Sequence, residues 1–206
     1  MKASCRLSVV ILLGWWMVAA GAGMARAQAR AVPRVEVSVA AGIFVASDAA
    51  VTSVYPGTKI PIAVLADVNL TRYVSVFAGG RFLHMTGHPT LAGSADPAAD
   101  SDVELSVRAV VFGARAHYRR GRFEAVAGGG AAYSTYTESW AGTSESVSGS
   151  AWGPVLNADF AFGLSRHVAA IGRVEWSRLA TGQGSLGSPS VQLGGVAVLG
   201  GIAVRF

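Results

Sequence analysis

The chain has almost no cysteine: Cys5 is the single one in 206 residues, and it lies close to the N-terminus. The remainder can form no disulfide, so stability has to come from the backbone fold even in an oxidising compartment. Charge is scarce, at 14% of residues, and after the first 27 residues no apolar stretch is long enough for a membrane-spanning helix. No zinc, phosphate-loop or nucleotide motif is present. The Gly128-Gly129-Gly130 run lies inside a strand-like segment with no helix after it, which excludes a dinucleotide-binding turn. The sequence therefore points to no cofactor and no resident metal.

What is there begins with a secretory leader. Lys2 and Arg6 precede an apolar run from Leu7 to Ala22, and Ala25-Arg26-Ala27 supplies the small-residue cleavage pattern. The pattern predicts a signal peptide over 1–27 and a single mature domain over 28–206. Cys5 precedes the apolar run, on the wrong side for lipid attachment, and leaves with the leader. Lys2, Arg6 and Arg26 leave too, with no acid among them, which removes three of the five excess positive charges. The basic character of the whole chain is thus no argument for nucleic acid.

The mature region is apolar on average, yet its apolar residues come as short alternating segments. That combination is the composition of a barrel that crosses a membrane with strands. At the C-terminus, Gly194, Val196, Val198, Gly200, Ile202, Val204 and Phe206 share one parity, and Ala197, Leu199, Ala203 and Arg205 the other. Earlier segments repeat the scheme. Val35 to Val45 alternate with Glu36 and Ser38, Ile60 to Leu70 with Asp67 and Asn69, and Val74 to Phe82 with Ser75 and Arg81. Phe123 to Tyr133 alternate with Glu124 and Gly128, Trp152 to Leu164 with Asn157 and Asp159, and Val168 to Trp176 with Arg173 and Glu175. In the fourth segment, Val103, Leu105, Val107, Ala109 and Val111 read as outward against inward Glu104, Ser106 and Arg108. Inward Arg115 and His117 then require a β-bulge near Val110 to Phe112.

Polar stretches at Ser47 to Lys59, His88 to Ser101, Glu138 to Ser150 and Thr181 to Ser190 alternate with short turns near Arg72, Arg120 and Arg166. Eight strands with long and short connections in alternation predict an all-β, eight-stranded antiparallel up-and-down transmembrane β-barrel, with both termini at the short-turn end. Phe82, Tyr133, Trp152 and Trp176 fall toward the long-loop end, and Tyr118, Phe123 and Phe206 toward the other, as two interfacial girdles.

This pattern resembles the small eight-stranded outer-membrane barrel family, the OmpA-like transmembrane domains and the OmpX-like proteins, over nearly all of the mature chain. Gly201, Val204 and Phe206 resemble the family's C-terminal assembly signal, with Leu199 where a polar residue usually stands. The resemblance implies outer-membrane localisation in a Gram-negative-type bacterium. It also implies handling by the barrel assembly machinery, with outer-membrane lipid and lipopolysaccharide as surroundings. No peptidoglycan-binding segment is expected after the barrel region.

The inward parity gathers Glu36, Asp67, Arg81, Glu104, Arg108, Arg115, Glu124, Asp159, Arg173, Glu175 and Arg205 into one lumen. Buried charges require partners. A turn centred at Arg166 sets Asp159 opposite Arg173 and Asn157 opposite Glu175. One centred between Arg120 and Gly121 sets His117 opposite Glu124 and Tyr118 opposite Phe123. Closure lets Glu36 meet Arg205. Eight strands enclose a space that side chains can fill, so a plugged, ion-paired lumen is expected rather than a porin-like channel.

A lipid A-modifying hydrolase would need a His with a Ser and an acid at the outer rim. His84 and His88 lie there but neither begins a His-x-Ser pattern, while His117 and His167 sit near the short turns. Asp96, Asp100, Asp102, Glu138 and Glu145 make the long loops acidic, against basic short turns at Arg72, Arg119, Arg120, Arg122 and Arg166. The sequence reading is a monomeric, non-enzymatic barrel with a structural or surface-interaction role. A small-solute pore is the alternative, and a lipid A-modifying enzyme a lesser one.

Overall fold

The computed structural model describes residues 34–87, 102–140, 146–181 and 192–206. The leader with Cys5, the loop with His88, Asp96 and Asp100, Glu145 and most of the loop from Thr181 to Ser190 lie outside the described residues.

Among the described residues the strands are β1 (Val35–Ala46), β2 (Ile60–Asn69), β3 (Val74–Gly87), β4 (Val103–Arg120), β5 (Phe123–Trp140), β6 (Ser146–Gly163), β7 (Val168–Ser177), β8 (Ala180–Thr181) and β9 (Gly195–Arg205), with one helix, α1 (Ala49–Val54). From β1 to β7 each pairs antiparallel with the next, and β7 pairs antiparallel with β9. β5 pairs with β6, and β1 pairs with β9 from Glu36↔Arg205 to Ala46↔Gly195, so the sheet has no free edge. The two residues of β8 join the same edge of β6 as β7 does. β7 and β8 are thus one stave, and the barrel has eight.

Alternation explains the wall. In β2, Pro61, Ala63, Leu65 and Asp67 are buried inward while Ile60, Ile62, Val64 and Val68 stand exposed. The same apolar exposure runs round the barrel through Val39, Ile43, Val110, Phe160, Val198 and Ile202. A belt of this kind is stable against hydrocarbon, where the closed ladders leave no backbone group unpaired. At its upper limit Trp152 packs at 4.9 Å against the tilted ring of Tyr133 and meets Phe112 edge-on at 6.4 Å.

The expected bulge in β4 is absent. Its register is unbroken against both β3 and β5, and Val103, Leu105, Val107, Ala109 and Val111 face inward while Glu104, Ser106 and Arg108 face outward. The apolar face changes sides although the parity does not, because the environment changes. Eighteen residues in each of β4, β5 and β6 reach a height of about 45 Å at ordinary rise and tilt, against an apolar band of about 25 Å. The upper part therefore stands in water, where apolar side chains belong inside.

The long-loop end is also more ordered than a string of polar loops. Most of Glu138 to Ser150 belongs to the β5–β6 hairpin, and Ser47 to Lys59 contains α1, which turns Val51 and Tyr55 into the barrel mouth at 5% and 4% exposure. The basic turn is shifted by two residues from the expected register. Arg120 pairs with Phe123, Arg119 with Glu124 and His117 with Val126. Gly121 takes φ 63°, and glycine at the first central position is what a two-residue hairpin turn selects.

Candidate functional site

Side chains fill the lumen in two layers. The lower layer is ionic and begins with register: Asp159 faces Arg173, and Asn157 faces Glu175, across β6–β7. Arg173 donates from Nε and Nη2 to Asp159 at 2.8 and 2.6 Å, a bidentate pair that matches the planar fork of guanidinium to carboxylate. From β4, Arg115 donates to Asp67 at 3.0 and 3.2 Å and to Asp159 at 3.4 Å, tying β2, β4 and β6 together. Arg81 donates to Glu175 and, at 3.4 Å, to the Ser177 hydroxyl. Ser75 donates to Asp67 at 3.3 Å.

Toward the short turns the network continues through His117, Glu124, Glu36 and Arg205, all read as inward from the sequence, and through Arg119, which was not. His117 lies between Ser75 and Glu124, with its two ring nitrogens at 2.7 Å from each. From the end of β4, Arg119 reaches Glu124 at 2.7 Å, and Arg205 bonds both Glu124 at 2.7 Å and Glu36 at 2.5 Å. The seam between first and last strands is therefore closed by side chains as well as backbone. Five carboxylates meet five guanidiniums in this layer. That balance keeps a set of buried charges from acting as a net charge in low dielectric.

Space for these long side chains comes from glycine. A Cβ on Gly128 would lie 2.5 Å from Cγ of Arg115 and 2.4 Å from the Ala114 carbonyl. Of the charges expected in the lumen, Glu104 and Arg108 are not there. Both stand on the outer face of β4, above the apolar belt, because the strand keeps its parity as it leaves the membrane.

Above the network the lumen turns apolar. Phe77 lies within the ionic layer, opposite Asp67 and with its ring 4.2 Å from the guanidinium of Arg115, while the Phe44 ring stands 5.9 Å from the guanidinium of Arg81. Over them pack Leu83, Met85, Leu105, Val51 from α1 and Tyr55, all buried. Tyr55 is fixed by donating to Glu138 at 2.6 Å. Burial, and then Glu138, push its phenol well above its ordinary value. A raised folded value means that this contribution to stability is present below pH about 10 and is lost as pH climbs above it. Tyr55→Phe should lower stability by about 1 kcal/mol at neutral pH, and thermal melts of the two proteins should converge under strongly alkaline conditions.

On the outer rim, His84 Nδ1 lies 3.2 Å from the Ser106 hydroxyl, and both face outward. Ser106 sits inside unbroken ladders on both sides. Its neighbouring amides are committed there and, among the described residues, do not serve the pair as oxyanion donors.

No protein-family model matches the chain, and no curated protein sequence matches it. Solved structures do. Outer membrane protein OprG from Pseudomonas aeruginosa superposes with a TM-score of 0.61 at 14% identity, over 85% of this chain and 96% of that one. Ail, the attachment invasion locus protein of Yersinia pestis, solved with the heparin analogue sucrose octasulfate, gives 0.52 at 11% identity over 84% and 96%. Neisserial surface protein A gives 0.50 at 11% identity over 84% and 96%. The chain therefore has the fold of the small eight-stranded outer-membrane β-barrels.

Proposed function

We propose that this protein is an integral outer-membrane barrel, exported by a leader cleaved near Ala27, that acts as a sealed scaffold and presents its tall extracellular wall for surface contact. The observation that carries this reading is the pairing of a filled lumen with strands that outgrow the membrane. A lumen packed with five ion-paired arginines beneath an apolar layer offers solutes no continuous wetted path. This favours a scaffold over a pore. The upper outward face of β3–β6 instead carries Thr86, Glu104, Thr135, Thr137, Ser146 and Ser148 in adjacent rows. A rigid sheet of short hydroxyl side chains can bind a polar partner with little ordering entropy.

Ail bears attachment in its name, and its structure was solved with a heparin analogue. A surface role for this chain rests on the shared fold and on the wall above. Handling by the assembly machinery, contact with lipopolysaccharide and a monomeric state belong to the same proposal. Removing the hairpin tip, 137–148, from cells that display the protein should abolish their retention on a surface coated with a cationic protein while leaving the folded band on a heat-modifiability gel. Retention unchanged by the deletion would remove the wall from the account.

A further inference from the structure

The membrane-facing surface is not uniformly bulky. Near the short-turn end it carries a furrow of about 320 Å³, lined by Phe123, Phe160, Phe162, Ala170 and Gly172. Register explains the shape. Across β6, β7 and β9 the outward rows run Phe162, Ala170, Ile202 and Phe160, Gly172, Gly200. Two small residues on β7 and a glycine on β9 lie beside a ridge of phenylalanines. Phe160 is 72% exposed and Phe123 66%, and the Phe123 and Phe162 rings meet at 5.1 Å. A Cβ on Gly172 or Gly200 would meet nothing within 4 Å, so the glycines are not demanded by neighbouring backbone. They leave open a slot between the flanking side chains.

Directly below the slot lie two turns joined by backbone, with the Gly163 amide donating to the Arg122 carbonyl at 2.8 Å. Arg120 and Arg122 belong to one turn and Arg166 to the other. All three are exposed, and among the described residues none has an ion-pair partner. No acid lies in either turn. The slot begins about 10 Å above them, given the rise and tilt of β7. That distance separates the phosphate of a phospholipid from the early part of its acyl chain.

We propose that this furrow and the arginines beneath it form a binding site for one anionic phospholipid of the periplasmic leaflet. One acyl chain lies in the slot against Phe160, Ala170 and Gly172, and the phosphate is held by Arg122 and Arg166. Guanidinium suits phosphate as a bidentate donor, and an apolar slot inside hydrocarbon must be filled. A second copy of the chain is disfavoured as occupant. Two-fold pairing through this face would bring the basic turns of both copies together. The site rests on the membrane reading above.

The test is native mass spectrometry on protein purified from outer membranes into detergent and titrated with phosphatidylglycerol or phosphatidylcholine of the same chain length. A preference of about 25-fold for phosphatidylglycerol is expected, since two arginines hold the phosphate and each basic residue near an anionic lipid surface contributes on the order of fivefold. Arg122→Gln with Arg166→Gln should bring the two lipids within about twofold of each other. Gly172→Leu, which fills the slot, should weaken both lipids alike. Equal affinities in the unmodified protein, or a preference untouched by all three substitutions, would overturn the site. Dimer masses that vanish in Gly172→Leu would assign the slot to a second copy instead. All substituted positions face outward or lie in turns, so a heat-modifiable band should persist in every variant. Its absence from the unmodified protein would defeat the membrane reading itself.

Discussion

Asp159→Ala is expected to lower the thermal unfolding midpoint of the folded barrel by about 10 °C. Asp159 receives two hydrogen bonds from Arg173, at 2.8 and 2.6 Å, and a third from Arg115 at 3.4 Å, and it is 5% exposed. Its removal leaves Arg173 and Arg115, at 2% and 4% exposure, without the carboxylate they share. Breaking one side of a buried ion pair costs about 3–5 kcal/mol, which in a domain of this size corresponds to a shift of about 10 °C. The converse substitution, Arg173→Ala, should cost less, because Asp159 keeps Arg115. Pairing Asp159→Leu with Arg173→Met should recover part of the loss, since no uncompensated charge is then buried. Tryptophan fluorescence melts in detergent would rank the three. A ranking in which the double variant is the worst would contradict the ion-pair account.

Gly201→Val should prevent closure almost completely. Gly201 pairs with Ala40 across the β1–β9 seam, and a Cβ there would stand 2.0 Å from the Val39 carbonyl oxygen and 2.6 Å from Cα of Ala40. Neither is the end of a flexible side chain, so the strand would have to withdraw. With it would go the seam ladder and the Glu36–Arg205 contact. The expected readout is loss of the heat-modifiable folded species, both in outer membranes and in detergent refolding. Phe206→Ala separates packing from targeting. The Phe206 side chain is 70% exposed, while its backbone is fixed, its amide donating to Val35 at 2.9 Å and its carbonyl accepting from Arg34 at 2.9 Å. Reading Gly201, Val204 and Phe206 as an assembly signal predicts normal refolding of Phe206→Ala in detergent and reduced amounts in cells. Equal defects in both settings would reduce Phe206 to a packing residue.

The parity of the membrane-spanning strands was legible because a single rule governs them: hydrocarbon outside, a filled lumen inside. It places Asp159 opposite Arg173, and Glu36 opposite Arg205, from spacing alone. The rule fails where its cause ends. Val103 to Val111 read as lipid-facing because they are apolar. Above the membrane the same side chains belong inside, and Glu104 and Arg108 belong in water. The sequence shows where apolar residues alternate but not how high the membrane reaches, so the inversion passed for a bulge. Tyr55 and Val51 were hidden for a related reason, lying in a stretch whose polar neighbours suggest a solvated loop while two apolar side chains pull it into the mouth. Arg119 was assigned to a turn, and the two-residue shift imposed by Gly121 is what lets it reach Glu124.

The account turns on a lumen closed by paired charges below and apolar side chains above, and planar-bilayer recording of the purified protein tests that most directly. A sealed scaffold gives no resolved single-channel steps at moderate voltage and salt, even when insertion is verified by the heat-modifiable band. Steady, unitary steps that scale with salt concentration would contradict it and make the pore the working description.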